Sequence, residues 1–145
     1  MTEDEIIQQV VSKWVGLGLE FARGASGVTT MYIYVSSEDG SRTGNVYFEQ
    51  DGKVDFPERL AGAEQGPGRL RALQAALLTD LREAETEFAA AGVPAPTEYR
   101  IRYDMFTEGV EAEFSREEKF VPDSELLPEE DGIVIWLGDR APRLV

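Results

Sequence analysis

Ten of the chain's carboxylates fall between Phe106 and Gly132, in FTEGVEAEFSREEKFVPDSELLPEEDG, against only two cations, Arg116 and Lys119. Carboxylates at that density could ligate a hard cation, work as a general acid and base, solvate an unstructured segment, or face a basic partner. The chain has no His and no Cys. Ser–His and Cys–His nucleophilic catalysis are therefore closed to it, as are thiolate and imidazole metal sites.

Calcium is the first test. If Gly132 is taken as the turn glycine of an EF-hand loop, Leu127 falls at position 1 and Gly138 at position 12, where the loop needs carboxylates. The match fails, and only an irregular carboxylate site stays open. Glycosidase-like chemistry needs two carboxylates across a cleft, one with a pKa raised by burial. Most acids here alternate with apolar residues, which aims them at water. A face for a basic partner survives these tests. Carboxylates that repel phosphate can cover a groove built to bind it.

The same acidity holds for the whole chain. Its 145 residues carry 28 acids and 14 bases, a net charge of −14, with 42% hydrophobic residues. That apolar content and length predict one folded domain over 1–145 rather than an acidic disordered chain. Nucleic acid and anionic membrane are disfavoured as partners, and no apolar run reaches the ~18 residues of a membrane span. The N-terminus, MTEDEII, is acidic where a signal peptide would be basic, so a cytoplasmic protein of bacterial type is expected.

Thr2 and Glu5 form a capping-box pattern, and Ile6, Ile7, Val10, Val11 and Trp14 follow at helical spacing, predicting a helix over 3–15. Gly16 and Gly18 are expected to weaken or end it. The piece GLGLEFARG superficially suggests a phosphate-cradling turn, but it follows a helix and has Phe21 where a third glycine belongs. VTTMYIYV, NVYFEQ and KVDF, separated by Gly and Asp turns, read as a three-stranded meander with a type I′ turn at Asp51-Gly52. Met31, Ile33 and Val35 should line one face of it, Tyr32 and Tyr34 the other.

A Gly- and Pro-rich loop spans 57–68. Leu70, Leu73, Leu77, Leu81, Ala84 and Phe88 then mark one stripe of a long helix stopped by Gly92 and Pro94. EYRIRYD and VEAEF alternate strictly and predict a hairpin with Arg102 opposite Glu111 and Arg100 opposite Glu113. GIVIWLG, 132–138, reads as a last buried strand, and VPDSELLPEED before it as loop. Strands grouped between two helices indicate an α+β fold: an antiparallel sheet of meander, hairpin and terminal strand packed with an N-terminal and a long central helix.

In that order, the N-terminal helix, MYIYV–SSEDGS–NVYFEQ, TEFAAAGVPAPTEYRIRYD, GVEAEF and the closing IVIW resemble the YezG-like immunity proteins. The resemblance runs from about Ile6 to Leu137 and lies in the order of elements and the EFAAAGVPAPTEYRI and GVEAEF patches. It implies an antitoxin of a bacterial polymorphic toxin system, a toxin inhibitor with no catalytic residues and no cofactor. Such a protein neutralises the basic C-terminal domain of a cognate toxin, a nuclease, by stoichiometric occlusion. The loop VPDSELLPEED is longer than the family pattern leads one to expect, so the toxin need not be a relative's. The residues expected at the contact are Glu108, Glu117, Glu118, Asp123, Glu125, Glu129, Glu130 and Asp131, with Phe106 as anchor. A non-catalytic acidic adaptor with another basic partner is the alternative.

Overall fold

The computed structural model describes residues 1–64, 66–120 and 124–142. Helix α1 runs Glu3–Phe21, capped as its sequence predicts: Thr2 Oγ accepts from the Glu5 N–H while the Glu5 carboxylate accepts from that of Thr2. It extends six residues past the expected end at 15. Gly18 does not break it, because a side chain there would collide with Met31: an added Cβ would lie 2.1 Å from the sulfur. Glycine at this point lets the helix pass close over the sheet, and Phe21 is buried beyond it.

Strands β1 (Val28–Glu38), β2 (Ser41–Gln50) and β3 (Lys53–Asp55) form the meander. Asp39-Gly40 and Asp51-Gly52 all have positive φ, as type I′ turns require. A short 3-10 turn, Pro57–Arg59, leads toward α2, Pro67–Ala91, which ends on Gly92 in the left-handed conformation. Within the segment expected as a plain loop, Leu60 and Ala63 are buried. Strands β4 (Glu98–Asp104) and β5 (Val110–Ser115) complete one antiparallel sheet in the order β3-β2-β1-β4-β5. The hairpin register pairs Arg102 with Glu111 and Arg100 with Glu113, as the alternation predicts. Arg102 approaches Glu111 at 3.7 Å, whereas Arg100 leans to its own strand neighbour Glu98.

Helices α1 and α2 cover one face of the sheet. Trp14, Met31, Ile33, Val35, Leu77, Leu81, Phe88, Tyr99 and Ile101 lie in this core. The Trp14 ring meets Tyr99 edge-on at 5.0 Å, and its indole N–H donates to the Leu77 carbonyl at 3.1 Å. Tyr32, Tyr34 and Tyr47 project from the opposite face and are also buried.

What buries them corrects the expected terminal strand. Residues Pro128–Leu137 form a helix, α3, laid across the tyrosines. The β-branched run IVIW favours a strand, but the start signals outweigh it. Pro128 occupies the first turn with Glu129, Glu130 and Asp131, and the Asp131 carboxylate accepts the Leu127 N–H at 2.7 Å. Gly132 is the seat. An added Cβ would lie 2.2 Å from the Tyr34 ring, so only glycine lets the helix approach this closely. Gly132→Ala should therefore cost roughly 1–3 kcal/mol by overpacking. Chemical denaturation should show that loss, with a changed near-ultraviolet signal from Trp136, which packs on Tyr32 and Tyr34. Wild-type stability would refute the close packing.

Candidate functional site

The acidic stretch is divided by the fold. The β4–β5 hairpin places Phe106 and Glu108 at the end where Tyr103 pairs with Val110, and Glu117 and Glu118 just beyond the end where Glu98 pairs with Ser115. Those ends are about 17 Å apart at the rise of an extended strand. Phe106 is 79% exposed at the hairpin tip. Its N–H and that of Thr107 donate to Asp104 Oδ1, holding the Asp104 carboxyl below its usual pKa, and Glu108 occupies a positive-φ turn position.

Glu125, Glu129 and Glu130 are exposed on α3 and its lead-in, near the same end of the sheet as Glu117 and Glu118. Asp131 is turned to capping its own helix. Asp123 lies outside the described residues. None of the groups of acids among the described residues is arranged to hold a metal ion.

At the second of these ends, where Glu98 pairs with Ser115, lies a buried polar brace that the sequence did not single out. Glu38 and Glu98 are 6% and 3% exposed. Both Glu38 oxygens accept from the backbone N–H groups of Lys119 and Phe120, at 3.0–3.2 Å. Glu98 accepts from the Tyr34 hydroxyl at 2.5 Å and from Lys119 Nζ at 2.7 Å. Arg100 Nε stands 3.2 Å from the same carboxylate, without the alignment of a hydrogen bond. Burial, and then the bond to Glu98, push the Tyr34 phenol far above its ordinary pKa. With their oxygens taken by donors of the chain itself, these acids fasten the segment after β5 to the sheet. One signal in the sequence does point here. Lys119 is a lone lysine within the acidic stretch, and Glu98 shares a strand face with Arg100 and Arg102.

The brace also settles the charge of the outer surface. Lys119 is used on Glu98, and Arg116 reaches Glu3 at 2.5 Å. Both cations of the stretch are thus matched by acids outside it. Glu108, Glu117, Glu118, Glu125, Glu129 and Glu130 have no ion-pair partner among the described residues.

A second feature adjoins the acids on α3. Gly132 and Ile133 face the sheet, and Leu127, Val134 and Ile135 fall on the other side. With Leu126 they are 42–51% exposed. Leu127 and Val134 stand two helical turns apart with Glu130 and Asp131 between them, so one outward stripe joins apolar and acidic groups. The sequence reading hid this stripe by giving 132–138 to a strand. A groove of about 280 Å³ opens beside it, between α2 and α3 along β2, lined by Tyr34, Gly44, Asn45, Leu78, Pro128 and Glu129 among others.

Compared with known proteins, the chain matches no family model and no curated protein. No helix among the described residues is long and apolar enough to cross a membrane.

Two expectations follow from the brace and its tyrosines. Glu38→Gln replaces one acceptor oxygen by a donor facing two N–H groups, so it should cost ~1–3 kcal/mol. Amide hydrogen exchange at Lys119 and Phe120 should accelerate, and unchanged exchange would show that the carboxylate does not hold the segment. The Tyr47 phenol is pushed up to about 12, chiefly by burial. A raised folded-state pKa gives stability that is intact below the unfolded value of ~10 and lost as pH climbs toward the folded one. The unfolding midpoint should thus hold steady to about pH 10 and fall between there and about 12, less steeply in Tyr47→Phe. An identical slope in that variant would remove Tyr47 from the account.

Proposed function

We propose that this chain is an immunity protein: a non-catalytic antitoxin that neutralises a basic toxin domain, a nuclease, by covering its cationic substrate groove. The observation that carries the reading is the outward stripe of α3. There and in its lead-in, Leu126, Leu127, Val134 and Ile135 stand exposed beside Glu125, Glu129 and Glu130, carboxylates with no ion-pair partner among the described residues. Apolar side chains grouped on a surface and rimmed by charge are the pattern of a protein contact, with the apolar groups as anchors and the charges setting partner and approach. The resemblance of the ordered sequence pieces to YezG-like immunity proteins supplies the biological setting. A cytoplasmic location follows from that role, because the inhibitor must meet its toxin where the toxin's substrate is.

A gene beside this one encoding a large protein with a basic C-terminal domain is the first check. The quantitative check is the rate of association with that domain. Opposed charge raises encounter rates toward ~10⁸–10⁹ M⁻¹s⁻¹ at low salt, and a Debye length of ~8 Å at physiological salt screens much of the gain. Glu125, Glu129 and Glu130 replaced together by Lys should slow association at least about tenfold, with folding unchanged. Asp131 is left alone because it caps α3. Three equal reversals at Glu58, Glu64 and Glu87 match the change in net charge and should slow binding much less. Equal slowing by the two triple variants, in surface plasmon resonance at two salt concentrations, would dissolve the α3 site into bulk charge. Turnover by the isolated chain, surviving repurification, would refute the inhibitor reading itself.

A further inference from the structure

We propose that β5 accepts a strand from the basic partner, a segment of alternating apolar and Lys or Arg residues that extends the sheet by one strand. The proposal rests on the basic-partner reading above and adds a mode of attachment that α3 does not supply.

The two edges of the sheet differ. At one, β3 pairs with only Phe48–Gln50 of β2, and the rest of β2 lies in the groove between α2 and α3. There Asn45 Oδ1 takes the Val46 N–H at 3.0 Å. That edge is partly satisfied by its own chain. At the other, β5 pairs with β4 alone among the described residues. The Asp104 N–H donates to the Gly109 carbonyl at 3.0 Å, which fixes the phase of the ladder. Alternation then points the N–H and C=O groups of Val110, Ala112 and Phe114 away from β4. These three residues offer a strand template that no other described residue pairs with.

Its side chains state what would fit. Glu111 and Glu113 project on the face of Arg102 and Arg100, while Val110, Ala112 and Phe114 project on the face of α1 and α2. Neither helix reaches far enough to cover them fully. Val110 is 46% exposed and Ala112 is exposed as well. A second copy of this strand is a poor occupant. Antiparallel pairing about Ala112 would set Glu111 against Glu113 of the copy twice over, like charge directly opposite like charge. A segment with Lys or Arg at those positions turns each repulsion into an attraction, and its apolar residues cover Val110 and Ala112. Glu113 has no ion pair among the described residues, and the Glu111 side chain is still 76% exposed beside Arg102. The edge is also preformed. The bonds from Phe106 and Thr107 to Asp104 close the hairpin tip, so little of the edge needs ordering on binding.

The test uses the full chain, isotopically labelled, and three acetylated, amidated peptides. One alternates Lys with Val and Thr, one carries Glu in place of Lys, and one is the Lys peptide N-methylated where its N–H groups would face β5. The Lys peptide should shift the amide resonances of Val110, Ala112 and Phe114 and slow their hydrogen exchange. N-methylation should weaken its binding about tenfold or more, as expected for one or two lost backbone hydrogen bonds. Ala112→Pro should do the same while leaving the melting temperature near wild type, because proline is tolerated where an edge N–H faces outward. Should Ala112→Pro fail to fold, the N-methylated peptide decides alone. Equal binding of the Lys and N-methylated peptides, or shifts confined to α3, overturns strand addition and leaves the basic-partner reading standing. Equal binding of the Lys and Glu peptides overturns both. Failure of any peptide to bind overturns strand addition, and the basic-partner reading is then judged on toxin association.

Discussion

Everything in this fold answers to one constraint: the central strand β1 is buried on both faces. Met31, Ile33 and Val35 on one side and Tyr32 and Tyr34 on the other are all 3% exposed or less. A strand of that kind must be covered twice. The first cover, α1 and α2, is mainly apolar where it meets the sheet, with Glu85 of α2 bound to Ser37 and Arg42 at its margin. The second has to accommodate phenol groups, which are costly to bury without partners. Tyr34 finds Glu98, and Tyr32 finds Arg140, whose guanidinium donates to its hydroxyl at 2.6 Å. Seen this way, α3 is obligatory. A sixth strand would have joined an edge and left the tyrosines facing water.

That reasoning also marks what was legible in the sequence. Alternation in MYIYV and EYRIRYD gave the side-chain facing of β1 and β4 and the hairpin register, because period-two patterns are local and strict. The leucine stripe of α2 was equally plain. The misreadings share a cause. Gly18 reads as a helix breaker and Gly132 as the start of a strand, yet each sits inside a helix where it passes close to a sheet side chain. Local propensity made IVIW a strand, and a tertiary demand for cover made it a helix. The expected contact residues were scattered for a related reason: a hairpin separates residues that are close in sequence by its own length. Glu38 was passed over because no local pattern announces a buried acid whose partners are backbone N–H groups 81 and 82 positions away.

The charge pattern has a comparable logic. A net charge of −14 would be simple solubilisation if the bases were spread among the acids. They are not so spread around the stretch between Phe106 and Gly132. Its two cations pair with acids outside it, Lys119 with the buried Glu98 and Arg116 with Glu3 at the start of α1, which leaves the outward carboxylates concentrated instead of cancelled. Internal ion pairing therefore shapes the external field, although surface pairs such as Arg116–Glu3 contribute little to stability.

The glycine seat of α3 has a consequence for how such a protein can change. Only the inner side of the helix, Gly132 with Ile133 and Trp136, is answerable to the tyrosines beneath it. The outer positions, Glu130, Val134 and Ile135, are exposed. If that side is the contact surface proposed above, substitutions there would alter what it recognises at little expense to folding, and partner choice and fold maintenance would occupy opposite sides of the same ten residues. On that proposal, a lineage could exchange one partner for another by rewriting a few outward codons, while the rest of the chain stays as it is.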